Sequence, residues 1–327
     1  MDFNHLITFN IKKKKAISLG LTLLQLCLIK PAYGEGSNFD VIYGKDNRFE
    51  TSEYPDRSFR DKAKSVAAMV RTRSLRPDFA TDPDNFTTFF KKTASRSYNV
   101  CKDEPYAEQN VLPICTGFLV APDTLVTAGH CVTEDTPCDS YSWVFGFEEG
   151  TTRFSNDNIY RCKEVVSTEL SETKFKLKDY AVIKLDREVV GREPLEFRKK
   201  GKPNWGEDLL IIGHPYGLPQ KIADGAKVKT GNLLGVFKPF QTFFRKQDFF
   251  ITNLDSFVGN SGSPVFNQET GLVEGILIEG ADDFILDEEE GCQRTAYKKN
   301  GNHHAEEKVF RINRIEYLKN LQLHIYK

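Results

Sequence analysis

The chain has 327 residues, 39% of them hydrophobic, and 45 basic side chains against 46 acidic ones give a net charge of −1. That is enough apolar content for one large bilobed body or two compact domains. It excludes nucleic acid as a bulk electrostatic partner, which would need a clear positive excess.

The N-terminus reads as an export signal over residues 1–34. Lys12 to Lys15 form a basic patch, Ala16 to Ile29 a mostly apolar run, and Ala32-Tyr33-Gly34 puts small residues before a cleavage point at Glu35. The run falls short of the roughly 20 residues a spanning helix needs, so no stable membrane anchor is expected once the signal is removed. The predicted location is secreted, extracellular or periplasmic. Of seven cysteines, Cys27 lies in the signal, and Cys101, Cys115, Cys131, Cys138, Cys162 and Cys292 remain. An even number in an exported chain argues for disulfides and leaves the pairing open. No Cys/His spacing suggests zinc, and the acidic run Asp282, Asp283, Asp287 to Glu290 lacks calcium-loop spacing. No metal or cofactor is expected.

Residues 35–64 are polar and turn-rich, a leader plus an N-terminal arm. Ser65 to Val70 is a first strand. Asp82 to Tyr98 is irregular or partly helical and contains the sequon Asn85-Phe86-Thr87. From Cys115 onward short apolar runs follow one another: Gly117 to Val120, Leu125 to Ala128, Tyr141 to Phe145, Tyr180 to Leu185, Leu209 to Ile212, Phe249 to Leu254, Pro264 to Phe266 and Leu272 to Ile278. Turn signals such as Ala121-Pro122-Asp123 separate them. Between them, Arg187 to Asn204 is charged and rich in Gly and Pro, the best linker. In Arg311 to Leu321, Ile312, Ile315, Leu318 and Leu321 recur every three residues and predict a C-terminal helix. No internal repeat is visible. The pattern is all-β, of the barrel or sandwich kind.

Three motifs carry chemistry: Thr127-Ala128-Gly129-His130-Cys131, Asp179-Tyr180-Ala181-Val182-Ile183-Lys184-Leu185, and Gly259-Asn260-Ser261-Gly262-Ser263-Pro264. A serine hydroxyl is a weak nucleophile at neutral pH. It needs an imidazole to take its proton, and the imidazole needs a carboxylate to hold its tautomer. Singly, each motif has a bland explanation: a packing histidine, a strand-end aspartate, a glycine-rich turn. Together, in the order His, Asp, Ser, they supply base, orienting acid and nucleophile. The α/β-hydrolase arrangement is disfavoured, because its elbow ends in glycine and its order is Ser, Asp, His.

The stretch from Cys115 to Cys131 and the Gly-Asn-Ser-Gly-Ser-Pro motif resemble the histidine and serine loops of chymotrypsin-fold, trypsin-like serine proteases, and most of all the secreted bacterial glutamyl-endopeptidase-like branch. Val41-Ile42-Tyr43-Gly44 and Ile212-Gly213-His214-Pro215 agree with it. The resemblance implies two six-stranded Greek-key β-barrels with the active site between them, plus the C-terminal helix. The first barrel would be residues 65–190, carrying His130 and Asp179; the second would be 191–327, carrying Ser261. It further implies a secreted serine endopeptidase acting on protein or peptide substrates through an acyl-enzyme. Ser261 would attack, His130 shuttle the proton, Asp179 orient the ring, and the N–H groups of Gly259 and Ser261 form the oxyanion hole.

By the same resemblance, Asp255 is expected at the floor of the primary pocket, where it would favour Lys or Arg; a purely structural aspartate is the alternative. Ile278-Glu279-Gly280 would pair with substrate backbone, Gly280 leaving the pocket mouth open. His214 is expected to be a structural turn residue, Ser263 structural, and His303-His304 a solvated loop. The resemblance pairs Cys115 with Cys131; Cys138–Cys162 is the next pair expected, and Cys101–Cys292 is what remains. Two departures bear on activation. No Ile-Val-Gly-Gly site is present, and Asn260 stands where mammalian relatives have an aspartate that pairs with a freed terminal ammonium. Either the oxyanion hole is preformed or trimming exposes Val41. The competing reading is a protease-like binding or adhesion module without significant activity. Such scaffolds usually lose a triad residue, and none is lost here.

Overall fold

The computed structural model describes residues 42–173, 176–229, 247–280, 283–298 and 307–325. The expected signal (1–34), Val41 and His303-His304 lie outside the described residues.

The fold is mostly β. Six strands, Val66–Arg71, Cys115–Ala121, Thr124–Thr127, Tyr141–Phe145, Ile159–Thr173 and Lys176–Leu185, close into a barrel. Counted in chain order, they lie around it as 1-2-3-6-5-4. A second sheet contains Asp208–Gly213, Lys221–Lys227, Phe249–Thr252, Pro264–Asn267, Val273–Glu279 and Glu307–Arg311. These six follow the same permutation, and the single bridge Val228 to Thr252 brings its two ends together. The second sheet has a seventh strand, Arg48–Glu50, added beside Lys221–Lys227. Part of the expected leader and arm therefore belongs to the second barrel.

The strands read as runs of apolar residues because many are buried on both faces. In Asp208–Gly213, Leu209 and Ile211 join one cluster with Val265, Leu277 and Val309. Leu210 and Ile212 point the other way, into a larger cluster that also holds Trp143, Phe118 and Met69 from the first barrel. The period of two along a strand thus feeds one barrel interior and the contact between barrels alternately. Each large side chain so buried contributes about 1.5–3 kcal/mol relative to exposure. Tyr180 of the first barrel stacks on Phe310 of the second, ring centroids 5.4 Å apart.

The linker runs without regular structure and is strapped to both bodies. Leu195 N–H donates to the Leu119 carbonyl, and Arg198 N–H to that of Val273. Between the first two strands of the first barrel, an insertion forms a small sheet (Leu75–Pro77, Phe86–Phe89, with Arg153–Ser155) and a short helix, Ala94–Tyr98. The C-terminal helix begins at Glu316, later than the expected Arg311. Glu307–Arg311 pairs on both sides as a strand, and Ile312–Arg314 makes a single 3-10 turn.

Three disulfides are present: Cys115–Cys131, Cys138–Cys162 and Cys101–Cys292. Among the described residues no helix is long and apolar enough to cross a membrane.

Candidate active site

His130 sits in the 3-10 turn Gly129–Cys131 that follows the strand Thr124–Thr127. Asp179 lies in Lys176–Leu185, the neighbouring strand, whose Ala181 is registered with Thr127. The two elements can approach because residue 129 is glycine. A Cβ there would lie 2.8 Å from the Glu169 carbonyl oxygen and 3.0 Å from Tyr180 backbone atoms. The buried Asp179 carboxylate holds His130 twice. Oδ1 accepts the His130 backbone N–H at 2.9 Å, and Oδ2 lies 2.6 Å from ring Nδ1. With the Asp179 side chain only 8% exposed, that contact is largely shielded from water, while the 36% exposed imidazole keeps its other edge accessible. The arrangement fixes the proton on Nδ1 and leaves Nε2 as a base.

Ser261 lies in the turn before strand Pro264–Asn267. This turn is tied directly to the first barrel. Thr116 N–H donates to the Ser261 carbonyl at 2.8 Å, and Thr116 Oγ1 donates to the Gly259 carbonyl at 2.9 Å. Cys131 Sγ lies 3.8 Å from the Ser261 carbonyl oxygen, so the turns bearing His130 and Ser261 are adjacent. Gly259 (φ +90°) and Gly262 (φ +86°) occupy backbone conformations that other residues avoid. Among the described residues neither the Gly259 nor the Ser261 N–H donates to a protein acceptor.

A cavity of about 640 Å³ adjoins Ser261. Its walls include Ile278, Glu279 and Gly280, together with residues that the sequence did not single out: Ser256, Phe257, Tyr98 and Gln293. Asp283, read from sequence only as part of an acidic loop, also lines it, and its carboxylate accepts the Val258 N–H at 2.8 Å. Glu279 is paired with Lys308 at 2.6 Å. Among the described residues of the lining there is no Lys, Arg or His.

Asp255 needs correcting: it does not line this cavity. Its buried carboxylate turns away and accepts the backbone N–H groups of Tyr43 (2.9 Å) and Asn47 (3.1 Å). Burial pushes it up to about 7 despite those two bonds. The signal for this was Ile42–Tyr43, a short apolar pair within the polar arm that docks beside Tyr297. His214 is also outside the cavity. It is buried, its Nδ1 is 3.1 Å from the Leu218 carbonyl, and burial lowers it to about 3, so it is a neutral turn residue. Cys115, His130 and Cys131 lie close enough together for a metal, but both cysteines are spent on their mutual disulfide.

Residues 115–276 match the family model described as trypsin-like peptidase domain. Among solved structures, a Glu endopeptidase in complex with MPD is similar at 17% identity and TM-score 0.48, covering 88% of this chain and 100% of that one. The active form of the Rv3671c protease from M. tuberculosis is similar at 14% identity and TM-score 0.43, covering 89% and 92%. No curated protein matches the chain in sequence. The domain match spans strands of both barrels as well as His130, Asp179 and Ser261, and the chain is a serine peptidase of the chymotrypsin-fold, trypsin-like family.

Proposed function

We propose that the chain is an exported serine endopeptidase in which Ser261, His130 and Asp179 hydrolyse peptide bonds through an acyl-enzyme. The double engagement of His130 by Asp179 is the observation that carries this reading. A histidine kept only for packing does not need both its ring and its backbone fixed by one buried carboxylate with its far edge left open. Ser261 Oγ attacks the substrate carbonyl while His130 Nε2 takes its proton. The Gly259 and Ser261 N–H groups stabilise the developing oxyanion, a contribution of about 3–4 kcal/mol per donor in sites of this type. The imidazolium then protonates the leaving amine, and water repeats the sequence to release the acid.

The preferred residue before the scissile bond is Lys or Arg. Asp283 supplies the attraction in place of Asp255, with Glu279 adding to it although Lys308 pairs with that carboxylate, because the described lining holds two carboxylates and no Lys, Arg or His and so disfavours an acidic side chain. Peptides carrying Lys, Arg or Glu at that position, compared at equal concentration, test this. Cleavage after Lys or Arg that disappears in Ser261→Ala supports the reading. Preference for Glu refutes the cationic assignment. A mature chain that cleaves nothing and takes no organophosphonate on Ser261 returns the binding-module alternative.

A further inference from the structure

The arm ahead of the first barrel ends in a buried cation that no step of the hydrolysis uses. Ile42–Tyr43 pairs in parallel with Tyr297–Lys298, and Asp255 clamps the Tyr43 and Asn47 N–H groups. The loop so fixed delivers Arg48, whose side chain is 1% exposed and is bonded to Asp46 at 2.6 Å. Its Cζ lies 4.4 Å from the ring centre of Phe257, 5.0 Å from that of Tyr106 and 5.7 Å from that of Tyr216. A guanidinium held over ring faces and out of water is attracted by their electron-rich faces more strongly than one in solvent.

Each ring comes from a different segment, and two of the three bear on the site. Phe257 is a wall of the Ser261 cavity. Tyr216 sits in the turn Pro215–Gly217 that presses on the oxyanion glycine. Its N–H donates to the Val258 carbonyl at 2.5 Å, and a Cβ on Gly259 would meet the His214 carbonyl at 2.7 Å. Tyr106 comes from the inserted segment, and its hydroxyl donates to the Arg48 carbonyl at 2.7 Å. Tyr106 (φ +64°) and Tyr216 (φ +37°) are two of only three non-glycine residues with positive φ among the described residues. Such backbone persists where surroundings over-determine it, and here the common surrounding is Arg48.

We propose that Arg48 is a positioning residue for peptide hydrolysis: through Tyr216 and Phe257 it holds the Gly259 turn and the cavity wall in the geometry that acyl transfer requires. This rests on the function proposed above. Asn260, a neutral amide, offers no ion pair to a terminal ammonium, so the cation that this turn leans on is internal and reaches it through aromatic faces.

The test compares the wild type, Arg48→Met, the double variant Arg48→Met with Asp46→Asn, Arg48→Lys and Ser261→Ala. The wild type and the Arg48 variants are assayed on whichever of the Lys, Arg and Glu peptides the wild type cleaves best, with kcat expressed per site titrated by organophosphonate. Ser261→Ala, which has no site to titrate, is assayed per folded molecule, and thermal unfolding is measured alongside. The double variant removes the carboxylate that Arg48→Met would leave unpaired. Expected is a loss of kcat per titrated site on the order of 10- to 100-fold in the Met variants, as for a small misplacement of reacting groups, with partial recovery in Arg48→Lys. If the Met variants do not fold, a clear loss of kcat per site in Arg48→Lys still supports the proposal. A lowered unfolding temperature with kcat per site within about twofold of wild type in the folded variants overturns it, because the role would then be structural only. Wild type that is no more active than Ser261→Ala refutes the underlying function and this proposal with it; active wild type beside unimpaired Arg48 variants refutes this proposal alone.

Discussion

Replacing Asp179 by Asn is the sharpest test of the proposed triad, because the geometry leaves the amide no good orientation. The carboxylate receives two hydrogens, one from the His130 backbone N–H and one from ring Nδ1. An amide has one acceptor and one donor end. If its oxygen faces the ring, its NH2 faces a backbone N–H that can only donate, at a separation of 2.9 Å. If its oxygen stays with the backbone, its NH2 faces Nδ1 at 2.6 Å and drives the ring proton to Nε2. The backbone cannot adapt and the imidazole can, so the second orientation wins. The ring then has no lone pair for the Ser261 proton. Losing a charged hydrogen bond costs about 1.5–3 kcal/mol. Losing the correct tautomer costs more: kcat falls on the order of 10⁴-fold in triads of this kind, about 5 kcal/mol of barrier. The assay is kcat/KM on a Lys peptide at neutral pH, with unfolding measured in parallel to show that the exchange leaves the fold intact. A folded Asp179→Asn variant losing less than about tenfold would refute the proposed role of Asp179 and the tautomer reasoning with it.

Gly262→Ala should fail at the level of folding. Its Cβ would stand 2.1 Å from the Thr116 carbonyl oxygen and 2.2 Å from Thr127 Oγ1, at φ +86°; the backbone strain alone costs about 1–3 kcal/mol, and an unchanged unfolding temperature would contradict this. Replacing Cys115 and Cys131 together by Ala opens a loop of 16 residues and should lower denaturant stability by about 3 kcal/mol on chain-entropy grounds, a shift in midpoint that equilibrium urea titration resolves. Asp255 gives a pH signature. Burial raises it from 3.8 to about 7, so between these values the folded chain keeps a proton that the unfolded chain releases. Its contribution therefore falls as pH rises through that window, by up to about 4 kcal/mol. Urea titrations across pH 4–7 should show that slope in the wild type and not in Asp255→Asn; equal slopes would refute it.

The sequence was legible where local chemistry and burial coincide. The apolar strands of both barrels and the three motifs were readable, because core strands are continuous apolar runs and the motifs combine distinctive residue types within a few positions. The cysteine pairs were open from the residues alone and came from the resemblance for Cys115–Cys131 and from what remained for Cys101–Cys292. Ile159–Thr173 was not foreseen as a strand, since Lys163, Glu164, Glu169 and Glu172 break any apolar alternation in a hairpin whose outer part meets solvent. Lys221–Lys227 was missed for a related reason: Lys221 is buried against Glu50, a partner far off in sequence. Ile312, Ile315 and Leu318 do all bury, but the first through a 3-10 turn, so a spacing of three overstated the helix. Asp255 shows the limit of spacing. Six positions before Ser261 fixed where its backbone lies, and only the docked arm decided which way its carboxylate turns. The common strand permutation of the two barrels is a property of pairing order, which residue similarity does not record.

The bond between Cys101 and Cys292 spans 191 positions, whereas the other two disulfides span 16 and 24. It anchors the hairpin that carries Gln293 to the segment that follows Tyr98, and both residues face the cavity. The arm at Ile42 likewise waits for Tyr297. During vectorial synthesis the first barrel and its short loops can settle early. Tyr98 and Gln293 can be tied into place beside the cavity only after the chain has been made past Gln293 and Cys101 has been oxidised with Cys292. A reduced chain therefore holds Ser261 without the covalent tie between two walls of the cavity beside it, so the proposed peptidase site takes its shape late in the maturation of the chain.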